Sequence, residues 1–181
     1  MIFVFACTIN FYAMAPITPP APNEAYLKKI FLHHLTRIYN GKRFLQERTS
    51  SLFDLASFKA LELAIGEFGG DVKNQIERME TIYKLIGETP SPEVCNPIKT
   101  IIKDEFCLDD GQDIPLLNDL DIMLYLQILE HINITSYRML IMIAKLLKYI
   151  EVTQLLTENF DESADNDKLF TLIAKEYITK D

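Results

Sequence analysis

The sequence predicts an all-α fold, and three observations carry that prediction. Apolar residues recur at three- and four-residue steps along four long segments. Between them no alternating apolar-polar stretch of useful length reads as a strand. Glycine is scarce, with 6 in 181 residues, and four of the eight prolines fall between Pro16 and Pro22, ahead of the first periodic segment. A chain of this length fits one domain, on the usual scale of ~100–200 residues each.

Residues 1–23 read as an N-terminal arm and residues 24–181 as the helical domain. The apolar run from Met1 to Ala15 has no Lys or Arg, is interrupted by Asn10, and offers Ala13-Met14-Ala15 as a cleavage site that Pro16 would follow. It makes a poor export signal and is shorter than the ~20 apolar residues of a membrane span. The favoured expectation is a true translation start at Met14. Pro16 to Pro22 reads as an extended arm.

Helix one is expected from about Glu24 to Thr49, with Phe31, Leu35, Ile38, Lys42 and Leu45 on its inner stripe. Helix two runs from about Ser57 to Ile86, with Leu61, Ile65, Phe68, Val72, Gln75, Met79 and Ile82 on one face and Gly87 as its C-cap. The Gly69-Gly70 pair inside it costs roughly 1 kcal/mol per glycine, which points to a close backbone approach or a local distortion. A short helix follows from Pro97 to about Asp104, then an acidic turn at Asp109-Asp110-Gly111.

Helix three, from Asn118 or Asp119 to about Tyr149, carries Met123, Gln127, Glu130, Ile134, Tyr137, Ile141 and Ala144 on one stripe. Ile122, Leu126, Leu129, Ile132, Leu140, Ile143 and Leu147 lie off that stripe and are also apolar. A helix apolar nearly all round is buried nearly all round, so its outer face is either central in the fold or a homodimer interface. Helix four, from about Val152 to Ile178, has two adjacent stripes. Leu155, Asn159, Glu162, Asn166, Leu169 and Ile173 form one, and Leu156, Phe160, Ser163, Asp167 and Phe170 the other. The short link between helices three and four makes them antiparallel neighbours.

The net charge of −8 and the absence of a basic, aromatic-interleaved patch argue against a nucleic-acid partner, and the same repulsion argues against an anionic membrane surface. Cys7, Cys95 and Cys107 are an odd set with no Cys-x-x-Cys spacing, as for idle thiols in the reducing cytoplasm.

Each long helix places polar side chains within its apolar stripe: Lys42, Gln75, Glu130, and Glu162 with Asp167. Burying a charge costs several kcal/mol unless it is paired or bound to a metal, so these interruptions either share a site at the centre of the fold or sit at stripe edges and reach water. Di-iron bundles draw ligands from Glu-x-x-His pairs, because i and i+3 point the same way. Residues three before His33, His34 and His131 are Ile30, Phe31 and Ile128, so no such pair exists. No nucleophile triad, Cys-His pair or phosphate loop is present either.

The ordered set of motifs resembles the YciE/YciF-type ferritin-like family of small bacterial stress-associated bundles. Phe31-Leu32-His33-His34-Leu35 with Tyr39 is similar to the family's opening helix, and Gln75-Ile76-Glu77-Arg78-Met79 to its second. Cys95, Ile98 and Ile101-Ile102 match its short helix, and Glu130-His131, Ile134 and Ser136-Tyr137 its third. Leu155-Leu156, Glu158, Asp161-Glu162 and Asp167 match its last. The resemblance, from about Leu27 to Ile178, implies a ferritin-like antiparallel four-helix bundle with one short extra helix in the crossover between helices two and three. It also implies a dinuclear carboxylate site.

The match breaks at the ligand positions. Lys42 stands where the family has a helix-one Glu, Asp71 and Gln75 are the donors left in helix two, Asn133 replaces the second Glu of helix three, and Ser163 replaces an acid of helix four. Two readings follow. In the favoured one the metal site is degenerate, no cofactor is bound, Lys42 neutralises Glu130, Glu162 and Asp71, and the protein has a structural or interaction role rather than an enzymatic one. In the other, an active oxidase or peroxide-detoxifying protein holds iron or manganese through Asp71, Gln75, Glu130, Glu162 and Asp167.

Overall fold

The computed structural model describes residues 23–92, 96–103, 108 and 114–179. The N-terminal arm ahead of Asn23, the three cysteines and the turn at Asp109-Asp110-Gly111 lie outside the described residues. The described residues form six helices: α1 (Glu24–Gln46), α2 (Thr49–Leu55), α3 (Lys59–Ile86), α4 (Pro97–Lys103), α5 (Pro115–Leu146) and α6 (Ile150–Thr179). The described residues contain no strand, as the periodicity predicts. No helix among them is long and apolar enough to cross a membrane.

Several helix ends have a local cause. Asn23 caps α1 by accepting from the Tyr26 amide at 3.0 Å. Gly87 takes a left-handed conformation at φ +66°, and the Glu88 amide returns to the Tyr83 carbonyl at 3.0 Å, closing α3 as its sequence predicts. Asn96 caps α4 through the Ile98 amide and donates to the Arg37 carbonyl at 2.7 Å, which ties α4 to α1. Between α5 and α6, Lys148 holds φ +59° while the Tyr149 amide reaches back to Ala144.

The long helices pair in a ring in which α1 touches α3 and α5, and α6 touches α3 and α5. Side-chain contacts fix their senses. Thr36 meets Tyr83 while Tyr39 meets Glu80, so α1 and α3 run oppositely. Arg78 meets Glu162 while Asp71 meets Asn166, so α3 and α6 run oppositely as well. The core inside the ring includes Phe31, Leu35, Phe68, Met79, Leu126, Tyr137, Leu156 and Phe170, all fully or nearly fully buried.

Three local expectations change. Helix one stops at Gln46, and a separate seven-residue helix, α2, follows it with only Leu52 buried. The Gly69-Gly70 pair makes neither a close approach nor a distortion. A Cβ on Gly69 would lie 3.7 Å from Thr49, one on Gly70 would meet nothing within 4 Å, and α3 runs through unbroken. The tight glycine is Gly41, where a Cβ would come 2.7 Å from Ile98 of α4. Finally, α5 starts at Pro115, and Asp119 lies inside it, buried, accepting from the Ser57 amide at 2.9 Å and hydroxyl at 2.6 Å ahead of α3.

Candidate functional site

The inner seam of α6 is Val152, Leu156, Asn159, Ser163, Asn166, Phe170 and Ile173, all buried at alternating four- and three-residue steps. Its ends are apolar and its middle third is polar. Opposite that polar third stand Lys42 of α1, Gln75 of α3, and Glu130, Asn133 and Tyr137 of α5, all buried. The interior therefore holds a polar layer between two apolar ones.

Lys42 Nζ lies 3.8 Å from Glu130 Oε1, and both side chains are 0% exposed. That distance makes an ion pair without a hydrogen bond. Asn133 Nδ2 donates to the same Glu130 oxygen at 3.2 Å, and the Tyr137 hydroxyl reaches Gln75 Oε1 at 3.4 Å. Lys42 Nζ, Gln75 Nε2, Glu130 Oε2, Asn133 Oδ1 and Ser163 Oγ have no hydrogen-bond partner. Such atoms in a close-packed core each carry a desolvation cost of about 1–3 kcal/mol.

Burial sets the electrostatics here. It pushes Lys42 below its usual 10.5, against the opposing pull of Glu130, Glu162 and Asp71. It raises the Tyr137 phenol well above 10.0, and the negative charges of Glu130 and Glu162 add to that rise. Asp71 is raised by desolvation, in part offset by the amide it accepts from Asn166 at 3.1 Å.

A second cation completes the layer at its edge. Arg78 forks onto Glu162 with contacts of 2.7 and 2.6 Å, places Nε 3.1 Å from Glu158, and donates to Asn159 Oδ1 at 3.1 Å. Hydrogen bonding to Glu162 raises its already high pKa. Lys42 is expected to neutralise Glu162, but both oxygens of Glu162 are held by Arg78. Arg78 is the residue of this layer that periodicity missed, since it lies at the edge of the α3 stripe, three residues past Gln75.

Asp167 stands apart from this layer. Its carboxylate faces Gln127 and His131 of α5, with His131 Nε2 at 3.3 Å on the outer side. The seam selects Asn166 instead, because a three-residue step from Ser163 stays in phase with Phe170. Lys42, Gln75, Glu130, Asn133 and Ser163 are thus in the buried layer and Asp71 and Glu162 at its margin, while Asp167 is elsewhere.

These side chains do not fit a dinuclear carboxylate site. Among the described residues, no three His, Cys, Asp or Glu side chains group as metal donors. Glu162 is occupied by a guanidinium, Asp71 by an amide, and Glu130 shares its pocket with a primary amine. A hard divalent cation takes several anionic oxygens, and fixed cations among them repel it.

A family model described as a domain of unknown function, DUF892, matches residues 26–181. The chain belongs to the DUF892 family. Solved structures agree on the fold. The E. coli stress protein YciF aligns at a TM-score of 0.78 and 22% identity, over 86% of this chain and 98% of that one. YcfI from Rhodopseudomonas palustris, provisionally called a structural protein, aligns at 0.75 and 23% identity, over 80% and 92%. This DUF892 chain is accordingly a YciE/YciF-type member. No curated protein sequence matches it.

Proposed function

We propose that this protein is a stress-associated, cytoplasmic, ferritin-like antiparallel four-helix bundle whose dinuclear metal site is replaced by buried organic charges, leaving a structural or interaction role. One observation carries the reading: the Lys42 ammonium beside Glu130, both fully buried, at the place the family resemblance gives to a ligand carboxylate. The ring of opposed long helices supports the bundle, and the stress association rests on likeness to YciF.

A tethered cation at this position does what a metal does electrostatically, since it holds inward carboxylates without solvent. At ~4 Å and an effective dielectric near 20, such a pair is worth about 4 kcal/mol before desolvation is charged against it. Lys42→Ala removes the cation and leaves a void, so it is expected to lower Tm while the protein remains free of stoichiometric iron, manganese and zinc. Two metals per chain would overturn the reading.

The outer face of α5 supports self-association. The off-stripe Ile122, Leu126, Leu129, Leu140, Ile143 and Leu147 lie in the core, and the residues left outward are Leu124 and Ile128 at one end of the face and Met142 and Leu146 at the other, with His131, Thr135 and Arg138 between them. The reading takes this face as the contact between two copies. Sedimentation of the wild type is expected to show a dimer that Met142→Glu with Leu146→Glu converts to monomer, and a monomeric wild type would refute it.

A further inference from the structure

We propose that two copies of this chain pair α5 against α5 in antiparallel sense on a twofold axis at Thr135, with Arg138 of each copy bound to Asp167 of the other. The inference rests on the self-association reading above and adds the register and the residues that select a second copy as the partner.

The outward face of α5 is laid out symmetrically about Thr135. Leu124 and Leu146 stand eleven residues to either side of it, Ile128 and Met142 seven, His131 and Met139 four, and Ile132 and Arg138 three. Four- and three-residue steps from Leu124 through Ile128, His131, Thr135 and Arg138 to Met142 keep these side chains along one seam, the spacing at which two helices interlock. An antiparallel copy turned about Thr135 sets Leu124 against the partner's Leu146 and Ile128 against the partner's Met142. Apolar ends then cover apolar ends.

The same rotation decides what the polar middle meets. A twofold axis that lies in the contact plane and crosses α5 leaves each flank of the helix facing the same flank of the copy. One flank borders α6, where Arg138 lies over the Phe160 ring at 5.2 Å and Gln127 and His131 face Asp167. Gln127 and His131 both meet Asp167 Oδ1, which among the described residues leaves Oδ2 for a further donor. The partner's Arg138 arrives on this flank level with Ile132, one residue from His131, and supplies that donor.

The flank away from α6 holds an apolar depression of about 420 Å³ lined by Ile128, His131, Ile132, Thr135 and Ser136. Met139 lies two turns beyond Ile132 on that flank, and the partner's Met139 comes level with His131, at the mouth of the depression. An unbranched thioether suits a hollow of irregular shape. A parallel pairing fits less well, because it turns the α6 flank of one copy toward the opposite flank of the other. Asp167 then comes level with the partner's Ile132 rather than with a cation.

The test uses the full chain with Cys7, Cys95 and Cys107 replaced by Ser, checked for native helical content and wild-type sedimentation. Thr135→Cys is expected to form a disulfide between subunits on mild oxidation, because residue 135 meets itself on the axis. Lys145→Cys is expected to stay unlinked, with spin labels at that position about 30 Å apart along the helices. A disulfide through Lys145→Cys, or a dimer unlinked through Thr135→Cys, would overturn the register and leave self-association standing. A monomeric wild type would sink the self-association reading itself.

Charge exchange tests the pairing. Arg138→Asp and Asp167→Arg are each expected to weaken the dimer by about tenfold or more, since each sets like charges across both symmetric contacts. An equimolar mixture of the two variants is expected to sediment as a dimer again, because in the mixed pair both contacts join Asp to Arg. Variants that dimerise as tightly as wild type, or a mixture no tighter than its components, would overturn the pairing. Should Asp167→Arg not fold, Asp167→Asn is expected to relieve the defect of Arg138→Asp in the double variant, and no relief would overturn it equally.

Discussion

Arg78→Met tests the pairing of α3 with α6 while keeping the apolar stem of the side chain in place. The substitution removes two forked contacts to Glu162 at 2.7 and 2.6 Å, one to Glu158 at 3.1 Å and one to Asn159 at 3.1 Å. Breaking a fully buried pair costs about 3–5 kcal/mol. Arg78 and Glu162 are each about a quarter exposed, so solvent screening lowers that figure. The expected loss is about 2–3 kcal/mol, which for a chain of this size is a fall in Tm of roughly 5–10 °C. Urea denaturation followed by circular dichroism measures it directly. A cycle with Glu162→Gln is expected to give a coupling energy of about 1–2 kcal/mol. Arg78→Lys keeps the charge without the fork and falls between the two. A loss below ~0.5 kcal/mol with no coupling would show that the guanidinium is only a surface decoration and would refute the argument.

Two glycines give opposite outcomes. Gly41→Ala forces a Cβ to 2.7 Å from Ile98 and is expected to cost about 1–3 kcal/mol, whereas Gly70→Ala, with nothing within 4 Å and an exposed helical site, is expected to gain about 1 kcal/mol. Chemical denaturation of both variants checks the contrast. Tyr137 supplies a pH signature. Its folded pKa is raised above the unfolded 10.0, so its contribution is fully present below pH 10 and is lost as pH rises from there toward the folded value. The Tm of the wild type is therefore expected to fall more steeply above pH 10 than that of Tyr137→Phe, and parallel curves would contradict the burial of the phenol.

Most of the fold is legible in the sequence because long amphipathic periods fix a buried face. Phe31, Leu35, Ile38, Lys42 and Leu45 are all buried as their spacing predicts, and so is every member of the stripe from Leu61 to Ile82. What escapes the sequence is set by tertiary register. Helix α2 is seven residues with one buried side chain and no side-chain cap, too short for periodicity to register. Arg78 gains its role from Glu158 and Glu162, two positions one turn apart on a helix whose phase against α3 no local pattern gives. Asp167 and Asn166 differ by one helical step, and the packing of the whole α6 seam, with Phe170 against Phe68, puts Asn166 inward. Gly41 looks like any helix glycine until α4 is laid across it.

The polar residues inside the stripes are legible as a set, since burial without compensation is costly, and their convergence from four helices follows from the ring. The Lys42–Glu130 pair follows from the resemblance, which puts Lys42 at a ligand position, whereas the Arg78 fork on Glu162 is a contact between helices that no local pattern gives. The most direct test of the organic replacement for the metal is elemental analysis of the full chain refolded with excess ferrous iron or manganese and then desalted. The account predicts metal well below one equivalent per chain, in wild type and in Asp167→Asn alike. Two equivalents retained by the wild type would contradict it.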